Sequence, residues 1–223
     1  MQKGLIQVTD SYERILHWML AISCLLLCVT GLGMMFQTFN FIGLLFGGLK
    51  SMKLVHNFTG LVFAVSLILV IRMWWKEAGV FVFPEDLEWI KVAGGYLWHV
   101  DHVPETGKYN PGQKMFFLTV VACGVLMIVT GLIMWFPTAL PTTLVRWMYP
   151  LHALGFVAIF AFFFVHLYLG TIGNPGSVQA MTTGWMEKPV IKMLHPKWFK
   201  EMEEKGEFIE YGVEPKPKET GHH

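Results

Sequence analysis

The chain has 223 residues, 54% of them hydrophobic and only 15% charged, with a formal net charge of +1 and a mean hydropathy of +0.48. A soluble domain of this length carries nearer a quarter charged residues, so a soluble globular protein is excluded, and the near-neutral balance offers no argument for a nucleic-acid partner. Four apolar segments account for the excess, residues 15–36, 54–75, 115–136 and 148–172. Each reaches the roughly 20 residues that cross a bilayer as a helix. The expected class is an all-α integral membrane protein, a bundle of four transmembrane helices.

In chain order, residues 1–14 form a polar lead. The first segment is too long for the apolar part of a signal peptide and no small-residue cleavage site follows it, so it reads as retained. The linker "QTFNFIGLLFGGLKSMK" is short and partly apolar, as suits a surface of the membrane. The loop 76–114 contains "PEDLEWIKVAGGYLW", which predicts a short helix begun by Pro84 and stopped by Gly94 and Gly95. "PTALPTTLVRW" joins the last two segments, and residues 147–186 carry no Asp, Glu, Lys or Arg. In the tail, 173–223, "HPKWFKEMEEKGEFIEY" has charged and aromatic residues at helical spacing and predicts a surface helix suited to a partner. His222 and His223 end the sequence and read as appended residues. Cys24, Cys28 and Cys123 all lie mid-membrane and read as small packing hydrophobes.

A faint repeat links the halves. "VTGLGMMF" (29–36) and "VTGLIMWF" (129–136) agree at six of eight positions, and segments two and four each begin with a histidine followed by a glycine, His56 with Gly60 and His152 with Gly155. Two helix pairs related by an axis along the membrane normal would give this pattern, as would chance similarity between apolar helices.

Positive charge orients the bundle. Lys3, Arg14, Arg72, Lys76, Lys91, Lys108, Lys114 and seven lysines after segment four lie on one side, against Lys50, Lys53 and Arg146 on the other. By the positive-inside rule both termini and the loop 76–114 are expected in the cytoplasm.

Four histidines fall in the segments, and an ionisable residue inside a membrane usually has a function. With this topology His56 and His152 sit near the outer surface, and His17 and His166 near the inner one. Segment four supplies one member of each pair. Fourteen residues of helix rise about 21 Å and complete nearly four turns, so His152 and His166 leave the same face at two depths. Paired imidazoles across a bundle core suit the axial positions of haem iron. Two histidines alone make a poor zinc site, which wants about four ligands, and no C-x-x-C-H is present for covalent attachment. The reading is two non-covalent b haems, the outer on His56 and His152 and the inner on His17 and His166. Gly31, Gly33, Gly60, Gly124, Gly131 and Gly155 are small residues where a macrocycle could lie, and Arg14 and Lys53 stand one turn before a ligand, where propionates could be met. His99, His102 and His195 read as surface residues without a metal.

"GKYNPGQKM" (107–115) stands where the loop meets segment three. Asn110 is a good helix cap and Pro111 a good first helical residue. The same stretch lies at the depth of the inner pair, where its polar groups would suit a quinone carbonyl.

With "ERILHWML" (13–20), "KLVHNFTG" (53–60), "GKYNPGQKM", His152, His166 and "HPKWFKEME" (195–203), the chain resembles the membrane cytochrome b (gamma) subunit of respiratory formate dehydrogenases over nearly its whole length. The resemblance implies a bacterial inner-membrane subunit with two b haems on the pairs above. It implies a menaquinone site at the inner haem, with Asn110, Gly112 and His166 at the matching positions. It implies an iron–sulfur (beta) subunit and a molybdenum or tungsten (alpha) catalytic subunit on the periplasmic side, with a higher oligomer of the complex as a further expectation. Pro111 and the uncharged "GTIGNPGSVQAMTTGW" after segment four depart from the family's usual pattern. Electrons would enter at the outer haem and leave to quinone at the inner one, separating charge by a redox loop. The alternatives are the cytochrome b of a nickel–iron hydrogenase or of a thiosulfate or polysulfide reductase. A different class is a histidine-lined metal or proton transporter without haem.

Overall fold

The computed structural model describes residues 4–212; Lys3, Lys216, Lys218, His222 and His223 lie outside the described residues. The helices are α1 (Ser11–Met35), α2 (Leu49–Ala78), α3 (Glu85–Lys91), α4 (Pro111–Trp135), α5 (Thr142–Tyr168), α6 (Ser177–Thr182), α7 (Lys188–Leu194) and α8 (Pro196–Lys205), with short strands β1 (Leu5–Gln7) and β2 (Trp185–Glu187). The described residues form two compact units, residues 15–81 with 112–169, and the lead with residues 82–111 and 170 onward.

The first unit is the bundle. α1, α2, α4 and α5 are each long and apolar enough to cross a membrane, and the protein is a multi-pass membrane protein. Each helix outruns its apolar segment by several residues at one end or both, because helical hydrogen bonding continues into polar flanks that hydropathy does not count. Sequence neighbours run antiparallel: Gly33 of α1 meets Met52 of α2, and Gly155 of α5 meets Met127 of α4. α2 and α4 are also antiparallel, with Phe58 beside Trp135 at one end and Trp75 beside Phe117 at the other. The linker between α1 and α2 is a 3₁₀ helix, Gln37–Phe46, that leaves Phe41, Leu44 and Leu45 exposed. α5 contains Pro150, half a turn before His152. At the start of α4, Pro111 is fully buried. Having no N–H, it occupies a first-turn position at no hydrogen-bonding cost.

The second unit gathers stretches far apart in sequence. β1 of the lead pairs antiparallel with β2 of the tail, Ile6 opposite Met186, and the far edge of β1 is bridged to Glu210. Ile6, Ala180, Met186, Ile191, Phe199 and Met202 form its core. α8 therefore turns its apolar face into the chain's own core, not toward a partner as its spacing suggested. The predicted loop helix is α3. The chain turns after it with Gly94 at a φ of 60°, where any side chain would collide with the Trp89 ring. α1 begins in this unit with a reciprocal cap. Asp10 Oδ1 accepts the Glu13 N–H at 2.7 Å, and Glu13 Oε2 accepts the Asp10 N–H at 2.9 Å. Such a cap contributes about 1 kcal/mol.

Candidate metal centres in the bundle

The bundle brings its four histidines together in two pairs. The His56 and His152 rings have centroids 6.4 Å apart and planes at 62°. The His17 and His166 rings are 6.2 Å apart with planes at 48°. The pairs lie at two levels, fourteen residues apart on α5, about 21 Å of helix rise.

In the first pair both rings are held by buried threonines. Thr30 Oγ1 lies 2.8 Å from His56 Nδ1, and Thr130 Oγ1 lies 2.7 Å from His152 Nδ1. Each hydroxyl also sits close to the carbonyl one turn back on its own helix, Leu26 at 2.7 Å and Leu126 at 2.6 Å. Two oxygens that close repel unless a proton lies between them, so the single hydroxyl proton goes to the carbonyl. The oxygen must then accept from the imidazole. Both rings carry their proton on Nδ1, which leaves each Nε2 with a free lone pair. Gly31 and Gly131, the residues after the threonines, stand against the same rings: a Cβ on either would rest 3.6 Å or 3.4 Å from the imidazole Cε1.

The second pair is built otherwise. His17 Nδ1 is buried with no hydrogen-bond partner, and Trp18 packs edge-on against the ring at 5.3 Å. His166 is the most exposed of the four histidines. Phe116 of α4 stacks on it at 4.4 Å and 3°.

These donor sets fit axial ligation of a haem. Two imidazoles on opposite sides of one metal put their centroids roughly 6 Å apart, from metal–nitrogen bonds of about 2 Å and about 1.1 Å from nitrogen to ring centre. The observed 6.4 and 6.2 Å match that span. Among the described residues no group of three or more His, Cys, Asp or Glu could hold a metal ion. The pairs therefore suit a metal whose other ligands come from a macrocycle.

The glycines divide. Gly31 and Gly131 face imidazoles, whereas Gly33, Gly124 and Gly155 stand where a Cβ would press on Met52, Leu67 and Met127, and Gly60 has open space. Close helix packing explains the middle three. Arg14 is engaged within the lead, donating to the Thr9 carbonyl at 2.9 Å and to Ser11 Oγ at 3.1 Å. Lys53 is exposed. Asn110 precedes α4 and is half-buried; Gly112 is in the first turn of α4, one turn before Phe116 and on the same face. Gly112 thus shares the side of α4 that meets His166. His99 and His102 are exposed, with His99 3.8 Å from Asp101. His195 is not a free surface residue. It is half-buried, with Nδ1 3.2 Å from the Gly107 carbonyl oxygen, and burial lowers its pKa below the ordinary histidine value while that bond pulls it back up.

Sequence reasoning missed Thr30, Thr130 and Phe116. The signal for the threonines was present: both are the second residue of the repeated "VTGL". Phe116 carried none, because a phenylalanine in an apolar helix looks like any other.

Comparison with known proteins gives the chain a family. The profile of the prokaryotic cytochrome b561 family matches residues 8–184. The formate dehydrogenase cytochrome b556(fdo) subunit of Escherichia coli K12 is 31% identical over 193 residues, covering 85% of this chain and 90% of that one. The formate dehydrogenase cytochrome b556 subunit of Haemophilus influenzae is 31% identical over 84% of this chain and 79% of its own. The nitrate-inducible formate dehydrogenase cytochrome b556(Fdn) subunit of Escherichia coli K12 is 27% identical over 87% of this chain and 90% of its own.

Proposed function

The chain belongs to the prokaryotic cytochrome b561 family, and from that premise we propose that it is the two-haem cytochrome b subunit of a quinone-dependent formate dehydrogenase. It anchors the complex in the bacterial inner membrane and carries electrons across the bilayer from an iron–sulfur subunit to menaquinone or another quinone. The observation that carries the reading is the spacing of the two histidine pairs, 6.4 and 6.2 Å between ring centres at two levels of one bundle. The named relatives, all formate dehydrogenase subunits, supply the electron donor.

In this reading His56 and His152 hold the outer haem and His17 and His166 the inner one. When bound, each haem supplies a one-electron carrier. The protein's own residues do the rest. Thr30 and Thr130 set the nitrogen that the outer histidines present. Asn110 offers its amide to a quinone carbonyl, and Gly112, without a side chain, lets a flat ring approach the α4 backbone on the side of His166. Both termini and the loop 76–114 face the cytoplasm, so quinone takes its protons from that side. Formate is oxidised in the periplasm by a molybdenum or tungsten subunit, and the net result is a redox loop that builds a proton-motive force without a proton channel.

The test is a pyridine haemochrome assay on the purified full chain, with partner subunits retained and formate as reductant. Two acid-acetone-extractable b haems per chain, reduced by formate and reoxidised by a menaquinone analogue, are expected. One haem, none, or haem that resists extraction overturns the ligand assignment. Reduction by hydrogen or a sulfur compound but not by formate overturns the partner.

A further inference from the structure

The threonines of the repeat do more than pack. We propose that Thr30 and Thr130 are a matched pair of positioning residues that tune the outer haem by accepting the Nδ1 protons of His56 and His152, and that the inner haem lacks this device. The inference rests on the two-haem reading above.

Its foundation is a set of contacts made twice. On α1 the buried Thr30 gives its proton to Leu26 and receives His56; on α4 the buried Thr130 gives its proton to Leu126 and receives His152. Both side chains are almost fully enclosed, at 0% and 1% exposure, so water does not compete for either hydroxyl. Each is followed by a glycine against the same ring, where a Cβ would rest in ordinary van der Waals contact with the imidazole. The repeat "VTGL" therefore encodes a clamp, and each half of the bundle uses its copy on the histidine of its own second helix.

The consequence for the metal follows from imidazole electronics. A ligating histidine that gives its other N–H to an acceptor is a more basic ligand. A more basic ligand stabilises the higher oxidation state of iron and lowers the reduction potential. With two acceptors the effect would act through both histidines that would hold the outer haem. At the inner pair, His17 Nδ1 has no acceptor and His166 is backed by the Phe116 ring. The hydroxyls thus oppose reduction at the outer site, keeping its potential closer to that of an incoming low-potential donor.

Thr30→Val and Thr130→Val keep the shape and remove the hydroxyl; Thr30→Ser and Thr130→Ser keep the hydroxyl. The readouts are haem content, a redox titration of the intact complex, and low-temperature EPR of the oxidised haems. Each valine variant is expected to raise one midpoint potential, the component lost in His56→Ala, by a similar amount, with a larger shift in the double variant. The inner component stays put, and serine restores the wild-type value. Loss of the outer haem in the valine variants with retention in the serine variants supports the same clamp. Wild-type potentials and EPR signals in the valine variants, serine variants that behave like valine, or a shift of the inner component overturn it. A wild-type protein without haem overturns the two-haem reading and this inference with it, whereas normal haem content with unmoved potentials overturns the clamp alone.

Discussion

At one end of the bundle Nδ1 of His56 and of His152 each lies against a buried threonine hydroxyl, while at the other His17 Nδ1 meets no partner and His166 lies under Phe116. The first pair is symmetric. The hundred-residue offset that superposes the two "VTGL" runs carries Thr30 and Gly31 onto Thr130 and Gly131. The second pair breaks that symmetry. The same offset carries His17 onto Phe117, and the offset that relates His56 to His152 carries His166 back onto Val70, both buried apolar residues. The repeat thus builds one site twice over, half from each helix pair, and leaves the other to be assembled from unequal positions. A site that only relays electrons gains from a closed, fully hydrogen-bonded shell. In the proposed function a quinone exchanges beside the second pair, which calls for an open flank, and His166 is the most exposed of the four histidines.

The harshest way to break this contrast is to remove ligands. His56→Ala and His152→Ala should each lose the same haem completely, and His17→Ala and His166→Ala the other, in paired haemochrome and reduced-minus-oxidised spectra. If His17→Ala and His56→Ala lost the same component, the two-level arrangement would be wrong. His99→Ala and His195→Ala should keep both.

Crowding the inner flank should act on turnover with both haems retained. Gly112→Leu is expected to slow quinone reduction about tenfold or more, equivalent to about 1.4 kcal/mol or more in the barrier, and Asn110→Ala by a smaller factor. Quinol formation and haem reduction are measured in one preparation at limiting quinone. Unchanged quinol formation in Gly112→Leu would place the quinone elsewhere.

Removing the ring over His166 sharpens the contrast more gently. Stacked aromatic pairs contribute about 0.5–1.5 kcal/mol, so Phe116→Ala should weaken retention of the inner haem several-fold and broaden its EPR signal. The outer haem's signal should be untouched; a change there instead would show that the two sites share one packing unit.

The smallest effect belongs to His195, outside both pairs. Its pKa is lowered from 6.5, chiefly by burial, so the unfolded chain takes up a proton before the folded one does. The stability of its unit is therefore fully present above pH 6.5 and falls as pH drops through and below that value. Limited proteolysis between residues 105 and 110 should accelerate over that range, and His195→Gln should flatten the profile while leaving both haem spectra as they are. A wild-type profile without pH dependence there would remove His195 as the cause.

Much of the molecule was legible from residues alone. Hydropathy located four spans because a bilayer imposes about 20 apolar residues on any helix that crosses it. The fourteen-residue interval between His152 and His166 placed both on one face of one helix because the helical period is fixed. Pro84, Gly94 and Gly95 marked the ends of α3 for equally local reasons. What composition could not supply was the second unit. β1 and β2 are each three residues long and lie some 180 residues apart, so neither carries a pattern that distinguishes it from loop. α8 looked like a helix awaiting a partner because its amphipathic face was visible and the core that receives it, Ile6, Met186 and Ile191, was scattered over the chain.

The histidine sites divide the same way. Sequence determined which imidazoles lie in the apolar helices and how far along each they stand, since those properties depend on position along single helices. Only the tertiary structure decided that Thr30 and Thr130 accept from His56 and His152 while His17 is left without an acceptor. That distinction depends on which residues of α1 and α4 face the neighbouring helices across a few ångströms. Helical periodicity constrains each helix's own faces; the rotation and register at which two helices meet are set by packing.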